Sequence, residues 1–136
     1  MSNQSYDFER AKAAFQDRLD FTTGPHELDV LIKSDADSAT YQVVDVRFPD
    51  DYAAGHAPGA INLPMPKWQN TRYLEEHLKR DATLYLYCYN PTCHLAAQAA
   101  LKLLDAGYKV VEVEGGWSDW LAKGQDVEKS QERRTA

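Results

Sequence analysis

The stretch from Ala82 to Val113 constrains the chain more than any other. Ala82-Thr-Leu-Tyr-Leu-Tyr87 is a compact apolar and aromatic run with the character of a strand, and it ends directly at Cys88. After a loop, Ala97, Ala100, Leu101 and Leu104 predict one apolar face of a helix that closes at Gly107, a residue suited to the left-handed C′ position. Lys109 to Val113 predicts the next strand. A strand, a helical crossover and a second strand imply parallel pairing, and such sheets carry their functional groups at the carboxyl ends of strands. Cys88 occupies one such end.

The remaining elements fit the same alternation. Phe8, Ala11, Phe15 and Leu19 recur at helical spacing and predict an amphipathic helix over Tyr6 to Asp20, with Ser5 as its N-cap. Phe21 to Gly24 interrupts it. Pro25 stands at the first position of a second short helix whose apolar face is Leu28, Leu31 and Ile32. Tyr41 to Val46 is a β-rich run without polar alternation, as expected of a strand buried on both faces. Between Phe48 and Pro66 glycine and proline limit the chain to a turn of helix at Asp50 to Ala53 and a short strand around Ala60 to Asn62. A weak helix with Tyr73, His77 and Leu78 follows. The mainly parallel sheet is thus expected to be covered by helices on both faces.

With 136 residues, 43% hydrophobic and 26% charged, the chain fits one domain with one core. Fifteen basic against twenty-one acidic residues give a formal charge of −6, which disfavours nucleic acid and anionic lipid as partners. The N-terminal MSNQSYDFERAKAAF lacks the apolar core of a secretory signal, and no apolar run reaches the ~18 residues of a membrane span. A cytoplasmic protein is expected. Residues 124–136 are highly charged, with one aliphatic side chain, and are expected to be frayed or disordered.

Two cysteines cannot build a disulfide framework, and a close pair in a reducing compartment is more often reactive or metal-binding. The segment from Cys88 through Tyr89, Asn90, Pro91, Thr92 and Cys93 to His94 joins a buried strand to a helix N-terminus, where unpaired backbone N–H groups can converge on an anion. Such a ring could stabilise a Cys88 thiolate by up to about 2 kcal/mol and leave it substantially ionised at neutral pH. It would equally hold a persulfide anion, whose outer sulfur lies one bond further into the loop. The alternative is that Cys88 is a small buried hydrophobe. A metal site from Cys88, Cys93, His94 and His56 is disfavoured, because Cys-x4-Cys-His lacks a second ligand pair at zinc spacing; neither a metal nor any other cofactor is expected.

Asp45-Val-Arg47, Gly55-His-Ala-Pro-Gly-Ala-Ile-Asn-Leu-Pro64, Tyr87-Cys88 and Glu114-Gly-Gly-Trp117 to Trp120, taken in order, resemble the signatures of the rhodanese-like family across about residues 25 to 123. The resemblance implies a rhodanese-like α/β fold, with a central parallel five-stranded sheet flanked by helices on both faces, residues 1–24 as a helical extension and 124–136 as a tail. It implies Cys88 as nucleophile in a six-residue loop ending at Cys93, and transfer of sulfane sulfur from a small donor to a thiol or protein acceptor. Asp45 and Arg47 would brace that loop, with Asp51 a candidate partner for Arg47. His56 would pin a turn or, alternatively, serve as a general base. Trp117 and Trp120 share a helical face and are expected in the core rather than as a ligand-stacking pair.

Two departures bear on chemistry. Many rhodaneses carry an arginine at the position of Cys93, where it binds an anionic donor, and a glycine at the position of Pro91. Its loss would cost thiosulfate on the order of 1.5 to 3 kcal/mol of binding unless Lys67, Arg72 and His94 compensate from a segment folded over the mouth; otherwise these are solvated surface charges. The same absence argues against phosphatase chemistry, which needs a longer loop closed by arginine. Cys93 could attack a Cys88 persulfide, form a disulfide with Cys88, or simply fill a helix start. The expected function is therefore sulfur transfer through Cys88, with a non-catalytic interaction module or a Cys88/Cys93 redox sensor as alternatives.

Overall fold

The computed structural model describes residues 5–68 and 70–130. Helix α1 (Phe8–Phe21) runs into strand β1 (Thr22–Thr23), then α2 (Pro25–Lys33), β2 (Tyr41–Asp45), α3 (Pro49–Ala54) and β3 (Ile61–Asn62). A 3-10 turn (Met65–Lys67) leads to α4 (Thr71–His77), β4 (Thr83–Tyr87), α5 (Leu95–Asp105), β5 (Lys109–Val113) and α6 (Gly116–Ala122). The five strands form one parallel sheet in the order β1-β5-β4-β2-β3. From β2 the chain moves outward to β3, whereas from β4 it moves the opposite way to β5. The reversal puts the carboxyl ends of β2 and β4 side by side, where a doubly wound sheet opens a crevice.

Strand alternation feeds two cores. Val44, Leu84, Leu86 and Val110 pack on one face with Leu74, Ala99 and Leu103, while Val43, Tyr87 and Val113 meet Leu28 and Trp120 on the other. This double burial explains why β2 and β4 lack polar alternation.

Several local expectations change. The cap of α1 is Asp7, whose carboxylate accepts the Arg10 N–H at 3.0 Å, and not Ser5. The fifth strand lies within the segment 1–24, where only an interruption was expected, since β1 is two residues long and pairs with Glu112 and Val113. In α5 the buried face is Ala96, Ala99 and Leu103, while Ala97, Leu101 and Leu104 point outward. Both stripes are apolar, and the alanines win because small side chains let the helix approach the sheet closely. Helix α1 buries none of its residues; Phe8, Phe15 and Leu19 are exposed.

The tail expected to be frayed is placed through Ser130, and 131–136 lie outside the described residues. His56 and Glu128 exchange two backbone hydrogen bonds of 2.9 Å, Trp120 Nε1 donates to the Asp126 carbonyl at 2.8 Å, and the Ser130 N–H donates to the Ala53 carbonyl. Backbone pairing thus supplies what the lone aliphatic side chain cannot. Truncation after Lys123 leaves the buried His56 backbone and Trp120 Nε1 without these partners and is expected to cost about 2 to 4 kcal/mol. A urea midpoint unchanged by the truncation would show that the segment contributes nothing.

Candidate active site

Cys88 follows β4 directly, at the centre of the sheet, and its side chain belongs to the core on the α5 face, with 3% of the residue exposed. The loop beyond it is shaped by Asn90. The Asn90 side-chain oxygen accepts from the Thr92 N–H at 3.0 Å and the Thr92 hydroxyl at 2.9 Å, and its carbonyl accepts from the Cys93 N–H at 3.0 Å. His94 caps α5 from an exposed position without a side-chain hydrogen bond.

The other wall is the turn between β5 and α6. Trp117 N–H donates to the Cys88 carbonyl at 2.8 Å and Ser118 N–H to the Tyr89 carbonyl at 2.9 Å, so the start of α6 holds the first two loop residues. Gly116, at φ +63°, permits this approach; a Cβ there would stand 2.8 Å from the Cys88 carbonyl oxygen. Between the two walls lies a cavity of about 250 Å³, reached by Cys88, Asn90, Pro91 and Cys93 from one side and by residues 112–116 from the other.

Beneath the loop, Asp45 and Arg47 form a buried pair. Arg47 Nε donates to the two Asp45 carboxylate oxygens at 3.0 and 3.1 Å, a terminal nitrogen donates at 2.7 Å, and the same nitrogen reaches the Gly55 carbonyl at 2.6 Å. The guanidinium lies 4.7 Å from the Trp117 ring centre and 5.7 Å from those of Tyr87 and Tyr89. It therefore ties β2, the residues flanking Cys88 and α6 into one unit. Asp51, a candidate partner for Arg47, instead accepts the Tyr89 hydroxyl proton. Asn62 adds a brace that the sequence did not suggest, its amide donating to the Asp45 and Arg47 carbonyls at 3.0 Å.

His56 is buried at the turn. One ring nitrogen lies 2.8 Å from the Tyr52 carbonyl and the other 3.4 Å from the Glu128 carboxylate, with the ring stacked on Tyr52. It does not line the Cys88 cavity. Lys67 and Arg72 are exposed and do not line it either; Arg72 faces Glu76 at 3.8 Å. Trp120 is buried in the core as its helical spacing implied, and Trp117 packs half-buried beside Tyr87. Missing from the sequence reading were Glu112 and Glu114 on the cavity wall. Their signal was an acidic pair at the carboxyl end of β5, one inside the strand and one just past it, beside the strand that ends at Cys88.

The two thiols are electrostatically linked. Burial pushes Cys88 up to about 11, reinforced by its interaction with Cys93 and only partly offset by the Ala96 and Tyr89 amides. Its thiol donates weakly to the Cys93 carbonyl at 3.5 Å. The expected amide ring is thus incomplete, because Asn90 takes the Thr92 and Cys93 N–H groups, and burial holds the Cys88 proton more tightly than in a free thiol. Burial also acts to raise Cys93, but the Cys88 thiol and the Tyr89, Leu95 and Asn90 amides outweigh it, so Cys93 is lowered. Cys93 is also the more exposed of the two residues. Brief iodoacetamide treatment near neutral pH is therefore expected to modify Cys93 before Cys88, read by peptide mapping; the reverse order would contradict this assignment.

Comparison with known proteins agrees with this geometry. The rhodanese-like domain family matches residues 25–123. Thiosulfate sulfurtransferase 16 of Arabidopsis thaliana is 29% identical over 110 residues, covering 74% of this chain and 90% of that protein. The HTH-type transcriptional regulator Rv0324 of Mycobacterium tuberculosis is 36% identical over 86 residues, covering 63% of this chain but only 37% of the regulator. Among solved structures, the BH2092 protein of Bacillus halodurans superposes with a TM-score of 0.82 at 29% identity, covering 90% of this chain and 87% of that one. With the parallel sheet, the cysteine loop and the matched residues in agreement, the chain belongs to the rhodanese-like domain family.

Proposed function

We propose that the protein is a sulfurtransferase that carries sulfane sulfur as a persulfide on Cys88. The observation that carries this reading is a cysteine at the end of the central strand, opening on a cavity with a second, more acidic thiol beside it. Cys93 thiolate accepts the Cys88 proton as Cys88 sulfur attacks the outer sulfur of a donor persulfide, R–S–S⁻. The bond between the donor's two sulfurs breaks, and R–S⁻ departs with the proton held by Cys93. An acceptor thiol or protein then attacks the outer sulfur on Cys88 and restores the thiol. The Arabidopsis relative named as a thiosulfate sulfurtransferase supports the reaction class. A reducing, cytoplasmic setting suits two thiols left free. Among the described residues no helix is long and apolar enough to cross a membrane.

Donor exposure is expected to add one sulfur, ~32 Da on the nucleophile, in the wild type and not in Cys88→Ser. Retention of that mass in Cys88→Ser would overturn the reading. A second reading, thiol redox sensing, is favoured by the two cysteines lining one cavity and expects mild peroxide to remove two titratable thiols reversibly. A non-catalytic interaction module, favoured by the exposed face of α1, expects Cys88 to resist every donor while partner binding survives Cys88→Ser.

A further inference from the structure

Resting on Cys88 as the sulfur carrier, the charge of its cavity narrows the class of donor. Glu112 pairs in register with Leu86, two residues before Cys88, and strand alternation sets it on the same sheet face as Cys88. Glu114 follows at the end of the strand, and both line the cavity that Cys88 and Cys93 also line. No Lys or Arg among the described residues lines that cavity. Glu112 is half-buried, and burial together with the Glu114 charge holds its carboxyl above the usual range, the mark of a carboxylate in a poorly solvated wall. Two cations act from outside: His94, when protonated, on Glu112, and Arg18, 3.3 Å from Glu114 in an exposed pair that solvent weakens.

We infer that Glu112 and Glu114 are specificity-determining residues that disfavour sulfur donors of net negative charge and select persulfides whose organic part carries a positive charge to offset the S–S⁻ group. For each persulfide the chemistry is the same: Cys88 takes the outer sulfur of R–S–S⁻, the bond between the donor's sulfurs breaks, and R–S⁻ leaves with the Cys88 proton held by Cys93; thiosulfate loads by the same attack, with sulfite as the leaving group. What differs is the group R that must sit between the carboxylates. An ammonium in R offsets the charge of the S–S⁻ group, a hydroxyl leaves that one charge to be repelled, and a carboxylate adds a second, as in the thiosulfate dianion.

The test is the rate at which Cys88 gains sulfur from 2-aminoethyl, 2-hydroxyethyl and 2-carboxyethyl persulfides, which share one reactive group and differ in tail charge, with thiosulfate as a fourth donor. In the wild type the rates are expected to fall in that order, with about tenfold or more between the first and third, a span that shrinks with added salt. In Glu112→Gln/Glu114→Gln the three persulfides should converge to within about threefold and thiosulfate should gain about tenfold. Far-ultraviolet circular dichroism and the urea midpoint of the double variant report that its fold is intact; should it fail to fold, Glu114→Gln alone, just past the end of the strand, should shift the order in the same direction. Equal rates for all tails in the wild type, or an order unchanged by the substitutions, would overturn the inference while leaving Cys88 as carrier. Failure of every donor to load the wild type would instead overturn the proposed function on which it rests.

Discussion

Replacing Gly116 with alanine is expected to destabilise the protein by about 2 to 4 kcal/mol and to slow sulfur loading of Cys88 by more than about tenfold. Two independent costs coincide at this position. Its backbone lies at φ +63°, a region that L side chains rarely adopt, so any side chain strains the turn. The added Cβ would also stand 2.8 Å from the Cys88 carbonyl oxygen and 2.9 Å from the Asn90 nitrogen, both backbone atoms that cannot rotate aside. Relief requires α6 to withdraw, which breaks the Trp117 and Ser118 hydrogen bonds to the first two loop residues. Gly124, at φ +69° with open space around it, separates the effects: alanine there meets the conformational cost alone. Equal denaturation midpoints and equal loading rates for the Gly116 and Gly124 variants would show that the close approach of α6 does not hold the loop.

Arg47→Ala is expected to cost about 3 to 5 kcal/mol, because it strands the fully buried Asp45 carboxylate without its cation. Lysine should not restore the site. An ammonium cannot reproduce the fork that spans both Asp45 oxygens and the Gly55 carbonyl, nor lie flat between the Trp117, Tyr87 and Tyr89 rings. Arg47→Met combined with Asp45→Asn removes both charges at once and should cost less than the sum of the two single changes, a coupling that a double-mutant cycle in urea measures directly. Additive losses would mean that the two side chains act separately.

These expectations show where the sequence was informative. The crossover from β4 through α5 to β5 was legible because each element is long enough to carry a period, and Pro25 marked the start of α2 through its fixed φ. Strand β1 was not legible: two threonines define no alternation, and only the neighbouring edge of β5 makes them a strand. The buried face of α5 was misjudged because a helix rich in alanine and leucine offers two apolar stripes, and the distance to the sheet chooses between them. Around Cys88, Arg47 pairs with Asp45, and Asp51, the candidate partner for Arg47, goes to Tyr89 because Asp45 itself occupies the guanidinium. Lys67 and Arg72, named for their charge, lie outside the cavity, while Glu112 entered it through sheet register, which a linear reading does not supply.

Sulfur held at Cys88 is most directly tested by fragmentation mass spectrometry of the intact protein after brief exposure to a persulfide donor, with free thiols blocked immediately afterwards. A single added sulfur, ~32 Da on the nucleophile, mapped to Cys88 and discharged by a thiol acceptor, is the expected result. Added sulfur confined to Cys93, or absent from both cysteines in protein that is demonstrably folded, would contradict it.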